Sequence, residues 1–539
     1  MSGSITLENR FGVNKMELIS LKYAIFVIVL LVLYYCFPKK YRWYVLLAGS
    51  MAYYVIICKW YVLFIIFTIC TTYGSTIWID KLLKKQNAIV KSHKEDWDRQ
   101  TRKDYKEKGR KKRVAVMLFA LLCNFGILAF LKYIPYAGEL GLLLPLGISF
   151  YTFQSMGYVM DVYREIVEPE KNFLKVALFV SFFPQIIQGP IAIYDKLAGQ
   201  LYEGHSLRLE NLQKGALLVL WGVMKKLVIA DRAVNIINFV MDKPMDFSGT
   251  YDFFAAVVYA LQLYADFSGG IDIVRGIAEM FGITMSTNFN HPYFSRSLTE
   301  YWHRWHMTLG DWCRNYIFYP LSISKRFLNF GKWLKPRFGA HISKVLPGCI
   351  ASVITFIVIG VWHGANMKYL YFGLWNGIVI MLAELFAPVN KKVAGGFFKL
   401  TGLREKGIFA TIVSVLWTFM LILVGYYFDI AANASTAFHM LFKSVTDFHI
   451  SELGINNIIL NLGACGLDEY DILLLIICTL LWFFISFVEE NKKLDMRDFI
   501  LSRKLPLRWA IIYLGIFIVI IFGYYGLGVN PADFVYMQF

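Results

Sequence analysis

The chain has 539 residues, 57% of them hydrophobic, and a mean hydropathy of +0.51. That is too apolar for a soluble multidomain protein of this length and points to an all-α polytopic membrane protein. Its formal charge of +17 would call for nucleic acid only if the basic residues lined a soluble face; they sit in loops between apolar runs instead, so membrane topology is the better reading and no nucleic-acid partner is expected.

The first apolar run, "YAIFVIVLLVLYYCF" at 23–37, follows a polar lead and is succeeded by "PKKYRW" rather than a small-residue cleavage site. It reads as a retained transmembrane helix, not a signal peptide. Apolar length predicts further spans at about 43–58, 60–79, 114–132, 141–160, 346–362, 368–387, 407–427, 471–488 and 509–527. With the interrupted segments the expectation is about 11 transmembrane helices plus re-entrant or amphipathic ones. Eight cysteines are scattered with none at CxxC spacing, so neither a disulfide framework nor a metal site is expected.

Three apolar segments are interrupted. "FFPQIIQGP" (182–190) breaks at Pro184 and Gly189-Pro190, "WGVMKKLVIAD" (221–231) carries Lys225 and Lys226, and "YADFSGGIDIVRG" (264–276) carries Asp266, Asp272 and Arg275. Irregular or charged backbone at membrane depth is tolerated only inside protein or beside a water-filled cavity. These segments should therefore form an inner wall.

The loop at 81–113 holds 14 Lys and Arg against 5 Asp and Glu, a net +9. The positive-inside rule makes it cytoplasmic. "PKKYR" (38–42) lies two spans earlier and agrees by parity, which leaves the N-terminus extracytoplasmic. The 324–344 stretch has six Lys and Arg and no acid, and is read as a cytoplasmic loop too. No internal repeat or low-complexity linker appears, so one membrane domain covers 1–539.

Of the nine histidines, only His291, His303, His306 and His363 stand in strongly apolar or aromatic company. In "WHRWHMTLGDW" (302–312), His303 and His306 are three apart and would share one face of a helix. No third ligand stands at a matching spacing, which argues against a metal. Trp302, Trp305 and Trp312 read first as interfacial or core aromatics, with Trp305 the one carried as substrate-facing. In "GVWHGAN" (360–366), His363 ends an apolar run, Gly364 admits close backbone approach, and Asn366 offers a neutral donor and acceptor. A neutral histidine in an apolar site can take a proton from a hydroxyl. The bland reading, a hydrogen-bonded structural histidine, stands beside it. Neither GxSxG nor GxxxxGK[ST] is present. From the residues alone a transport pathway ranks first, since buried charges on broken spans mark one, although transporters commonly show internal repeats.

Taken together, "LPLGISFYTFQSMGYVMDVYR" (144–164), "FPQIIQGPI" (183–191), "YADFSGGIDIVRGIAEMFGI" (264–283), "NFNHPYFSRSLTEYWHRWHMTLGDWCRNYIFYPL" (288–321), "GVWHGANMKYLYFGLWNGI" (360–378) and the closing "FVYMQF" resemble the membrane-bound O-acyltransferases. The motifs run in family order from about 140 to 380. Within the family the match is nearest the bacterial alginate O-acetylation branch, with teichoic acid D-alanyl transfer proteins close by. The resemblance implies a ring of tilted helices around a thin catalytic core in a multi-pass protein of the cell membrane. It implies that His363 and His306 are catalytic, and that His303, Asn366, Asp266 and Trp305 are weaker, substrate-binding candidates. It implies no permanently bound cofactor, and a cytoplasmic thioester donor: acetyl-CoA, another acyl-CoA or a phosphopantetheine carrier. The acceptor would be a hydroxyl of an extracytoplasmic polysaccharide, reached with an esterase-like partner protein. D-alanyl transfer from a carrier protein is the alternative. Two departures bear on the acceptor or partner: Asn376-Gly377 stands where relatives often read "HG", and "FDIAA", with Asp429, where they often read "FRA".

Overall fold

A computed structural model of the chain describes residues 18–401, 404, 407–454, 457, 465–525 and 534. The N-terminal residues 1–17, and all of the closing "FVYMQF" but Phe534, lie outside the described residues. Among those described there is no strand, and the fold is all-α. Among the described residues seven helices are long and apolar enough to cross a membrane, or eight if Met367–Leu385 and the following segment, bent by 67°, count as one span. The chain is a multi-pass membrane protein. Helices satisfy their own backbone polar groups, as a bilayer requires.

Contacts divide the chain into two compact units, 1–219 with 271–286, and 220–270 with 287–539. In the first, Val62–Ser92 and Arg99–Tyr133 form a helical hairpin. The stretch read from sequence as a basic loop is thus mostly helix, broken only by the turn at 93–98. Lys, Arg, Glu and Gln are good helix formers, so losing the apolar period did not end the helices. Arg113 donates to Gln86 Oε1 at 2.9 Å and ties the two arms together. Asp98 caps the second arm by accepting from the Thr101 N–H at 2.9 Å. Against the hairpin packs Ile148–Tyr163, almost wholly buried. Its N-cap Gly147 has φ +69°, and a Cβ there would lie 2.2 Å from the Ile186 carbonyl oxygen. The broken segment around Pro184 is buried from Val176 to Ile191, with Gln154 donating to the Phe179 carbonyl at 2.6 Å and Gln185 donating to Gln154.

In the second unit the chain passes through a π-helical stretch, Lys225–Ala230. There Lys226 Nζ meets Asp231 at 2.8 Å and Asp266 at 2.7 Å, all three side chains buried. Lys225 donates to Ser268 Oγ at 2.8 Å. Buried charges are tolerated when paired in this way. Arg232 reaches Asp471 at 2.9 Å and tethers Glu469–Lys492. The carbonyl of Leu227 accepts from the Tyr524 N–H at 2.8 Å, just past the end of Leu505–Phe522. The segment around Asp266 is not interrupted: Gly249–Met280 is one continuous helix. Likewise the 324–344 stretch is helical, the first part of Lys325–His363, which kinks at Gly339 with φ +79°.

Candidate active site

Every residue of the candidate site belongs to the second unit. His363 is the last residue of Lys325–His363, and Met367–Leu385 returns beside it. The pair crosses at glycines. A Cβ on Gly360 would stand 2.2 Å from the Tyr369 carbonyl oxygen, and one on Gly373 would stand 2.3 Å from that of Phe356. Small residues let two membrane helices approach backbone to backbone, and this contact lies one turn before His363. Gly364 follows with extended backbone, and a Cβ there would press to 2.5 Å of the Tyr369 ring. That ring stacks on His363 at 6.0 Å between centroids, and Phe372 meets its face edge-on at 5.6 Å.

His306 is held differently. The helix Leu298–Arg304 stops at Trp305, and Met307–Cys313 starts afresh with His306 as its N-cap, in the left-handed region at φ +45°. His303 and His306 therefore do not share a helix face: His303 is exposed, 3.5 Å from Arg314, while His306 is 2% exposed. The break is stabilised from outside the two helices. Asn290 N–H donates to the Arg304 carbonyl at 3.0 Å, and Met307 N–H to that of Asn288 at 2.9 Å. The side-chain oxygen of Asn288 takes hydrogen bonds from the Thr308 N–H at 3.1 Å and the Thr308 hydroxyl at 2.9 Å, and lies 3.2 Å from His306 Nδ1. Phe267 meets the His306 ring edge-on at 4.9 Å.

His306 and His363 line one narrow cavity of about 20 Å³, space for about one water. Burial, with His363 close by, holds the His306 imidazole below its ordinary 6.5, at about 3, so it is neutral at physiological pH. Around the two rings stand a hydroxyl ladder and an amide. Tyr426 OH lies 2.8 Å from Tyr301 OH and 3.0 Å from Tyr293 OH. Trp302 Nε1 donates to Asn376 Oδ1 at 3.0 Å, which fixes that amide at the cavity wall. Asp429 also lines the cavity and accepts from Tyr259 OH at 2.7 Å.

Of the candidates named from sequence, His306, His363 and Trp305 come together here. Three others stand outside the cavity lining. Asp266 is spent on Lys226. Asn366 caps Met367–Leu385, accepting from the Lys368 N–H at 3.1 Å and donating to the Ala432 carbonyl at 3.3 Å. His303 faces outward. Sequence reading missed Asn288, Tyr301 and Tyr426. Asn376 and Asp429, the two departures from the usual family pattern, are both wall residues. Among the described residues no three His, Cys, Asp or Glu side chains are grouped to hold a metal ion.

A membrane-embedded helical protein with two buried histidines on one cavity is the class that fold and site define. Residues 169–335 match the model of the membrane-bound O-acyltransferase family, and the resemblance carried by the motifs is to that family. The chain is 30% identical over 315 residues to the probable alginate O-acetylase AlgI of Pseudomonas syringae pv. tomato, covering 58% of this chain and 54% of that protein. It is 30% identical over 314 residues to the peptidoglycan O-acetyltransferase of Helicobacter pylori, covering 51% and 56%. It is 26% identical over 286 residues to the teichoic acid D-alanyltransferase of Bacillus subtilis, covering 52% and 67%. The match thus spans little more than half the length of the first two relatives.

Proposed function

We propose that the chain is a membrane-bound O-acyltransferase of the cell membrane. It would move an acyl group, acetyl in the first place, from a cytoplasmic thioester to a hydroxyl of an extracytoplasmic polysaccharide or partner protein. The donor would be acetyl-CoA or an acylated phosphopantetheine carrier. The observation that carries this reading is the convergence of His306 and His363 on one buried cavity. The relatives named as O-acetylases support the acetyl group.

A hydroxyl is a poor nucleophile until its proton is removed, whereas a thioester is already activated. The site needs a base and a way to hold two reactants together. His363 accepts the hydroxyl proton as the oxygen attacks the thioester carbonyl. When the tetrahedral species collapses, the C–S bond breaks, the C–O bond is kept, and His363 returns the proton to the departing sulfur. His306, neutral and buried, positions a reactant in the same cavity.

One observation favours D-alanyl transfer as a second reading. The Asp429 carboxylate at the cavity wall is suited to pair with an α-ammonium, and one set of relatives is named for that transfer. Reconstituted protein given labelled acetyl-CoA or D-alanyl carrier separates the two. In either case His363→Gln should lose about 10²–10⁴-fold in single-turnover rate, because an amide hydrogen-bonds but cannot take the proton. Near wild-type transfer by that variant would remove His363 from the role of base.

A further inference from the structure

We infer that Asn288 is a positioning residue that fixes the tautomer of His306, so that His306 meets the cavity as a hydrogen-bond acceptor. As a statement about catalysis this rests on the acyl-transfer reading; as a statement about the imidazole it stands alone.

The argument is one of donors and acceptors. Asn288 is fully buried on the segment between Gly249–Met280 and Leu298–Arg304. One atom of its amide faces three groups: the Thr308 backbone N–H at 3.1 Å, the Thr308 hydroxyl at 2.9 Å and His306 Nδ1 at 3.2 Å. A backbone N–H can only donate, so the atom facing it must be the amide oxygen, and the flipped amide is excluded. An oxygen facing Nδ1 requires Nδ1 to carry the hydrogen. A neutral imidazole holds one proton, so its lone pair is then on Nε2. Asn288 also does what a capping side chain does, taking the N–H of Thr308 in the first turn of Met307–Cys313, but from 20 residues away. It thereby holds His306 in the left-handed conformation, a strained state that for a residue with a Cβ persists only where its surroundings impose it.

The consequence for the proposed reaction is definite. A histidine with its hydrogen turned to Asn288 cannot donate to the oxyanion of a tetrahedral intermediate. It can accept from a hydroxyl. His306 therefore orients the acceptor alcohol, and any oxyanion donor must be sought elsewhere on the cavity wall.

The test reads the tautomer directly. The full chain, labelled with ¹⁵N-histidine and reconstituted in lipid, is examined by NMR, with His306 assigned by its loss in His306→Gln. The expected result is a protonated Nδ1 and an unprotonated Nε2 at neutral pH. Asn288→Leu should mix or reverse the two forms. Should that variant not fold, Asn288→Asp keeps the acceptor oxygen and adds charge, so the imidazole should become protonated at a pH where the wild type is neutral. A wild-type Nε2–H tautomer, or unchanged His306 resonances in the variants, would overturn the inference. These readings need no turnover, so failure of the acyl-transfer assignment leaves them standing. If transfer is observed, Asn288→Leu should lower kcat by about 10²-fold with KM little changed. Asn288→Asp should move the acidic limb of the pH–rate profile upward. The other titratable groups facing His306 across the cavity, His363, Asp429, Tyr301 and Tyr426, are the same in every variant. A purely structural Asn288 would give lower yield but an unshifted profile.

Discussion

Gly360→Ala should impair the site without touching it. The added Cβ would lie 2.2 Å from the Tyr369 carbonyl oxygen, where ordinary contact begins at 3.4 Å. The obstacle is backbone, so it cannot swing aside as a side chain would. Lys325–His363 and Met367–Leu385 must part by about 1.2 Å or shear by a similar amount. His363 is three residues on and would be carried with the shift. A misplacement of about 1 Å costs on the order of 10²-fold in rate, or about 2.7 kcal/mol of barrier. Overpacking should also cost about 1–3 kcal/mol of stability, so the protein should still be recoverable in detergent. The assay is single-turnover acyl transfer in proteoliposomes, normalised to folded protein by size exclusion. Gly74→Ala is the control, since a Cβ there meets nothing within 4 Å. Transfer by Gly360→Ala within about threefold of wild type would refute the claim that the glycine crossing sets the place of His363.

Three further outcomes are expected. In a background lacking Cys36 and Cys70, a cysteine at the exposed Ser92 should resist a membrane-impermeant thiol reagent in intact cells; ready labelling would reverse the orientation drawn from the basic hairpin. Lys226→Met leaves Asp231 and Asp266 buried without their shared cation and should cost about 3–5 kcal/mol. Lys226→Met with Asp266→Asn should recover monodisperse protein, and equal loss in both would mean the ion pairs are not what holds this region. His306 binds a proton at about 3 in the folded chain and at its ordinary 6.5 when unfolded, so the unfolded chain takes up more protons between those values. Thermal stability should therefore fall as pH drops from 6.5 toward 3, and His306→Asn should flatten that slope.

Most of the apolar spans were legible because twenty oily residues have few other uses in a chain this long. The expected spans at 23–37 and 141–160, however, are 16-residue helices, Leu21–Cys36 and Ile148–Tyr163, outside the seven or eight found among the described residues. The basic stretches were misread as loops because hydropathy reports where a helix leaves lipid, not where it ends. Lys and Arg continue Val62–Ser92 well past its apolar part. The unbroken helix through Asp266 was hidden for a related reason: the charge suggested interruption, yet its partner Lys226 is 40 residues away in sequence. At the site, His363 was legible from its place at the end of an apolar run. The burial of His306 was not, because it depends on a left-handed turn, and that turn is stabilised by Asn288, to which no local spacing rule points. Tyr301 and Tyr426 were lost among the chain's 33 tyrosines, since only tertiary packing distinguishes a wall hydroxyl from an interfacial one.

The hairpin of the first unit has a practical consequence. At 1.5 Å per residue, Val62–Ser92 is about 46 Å long and Arg99–Tyr133 about 52 Å, while the hydrocarbon layer is about 30 Å thick. A charged mast must stand clear of the bilayer. It is stiffened by the Arg113–Gln86 bond, and its tip is closed by His93 stacked on Trp97 at 4.7 Å. Such a mast is a ready-made landmark for electron microscopy. A small rigid domain spliced between Glu95 and Asp96, both exposed in the turn, would enlarge it without entering either helix. Every particle image would then carry a pointer to one face of the membrane.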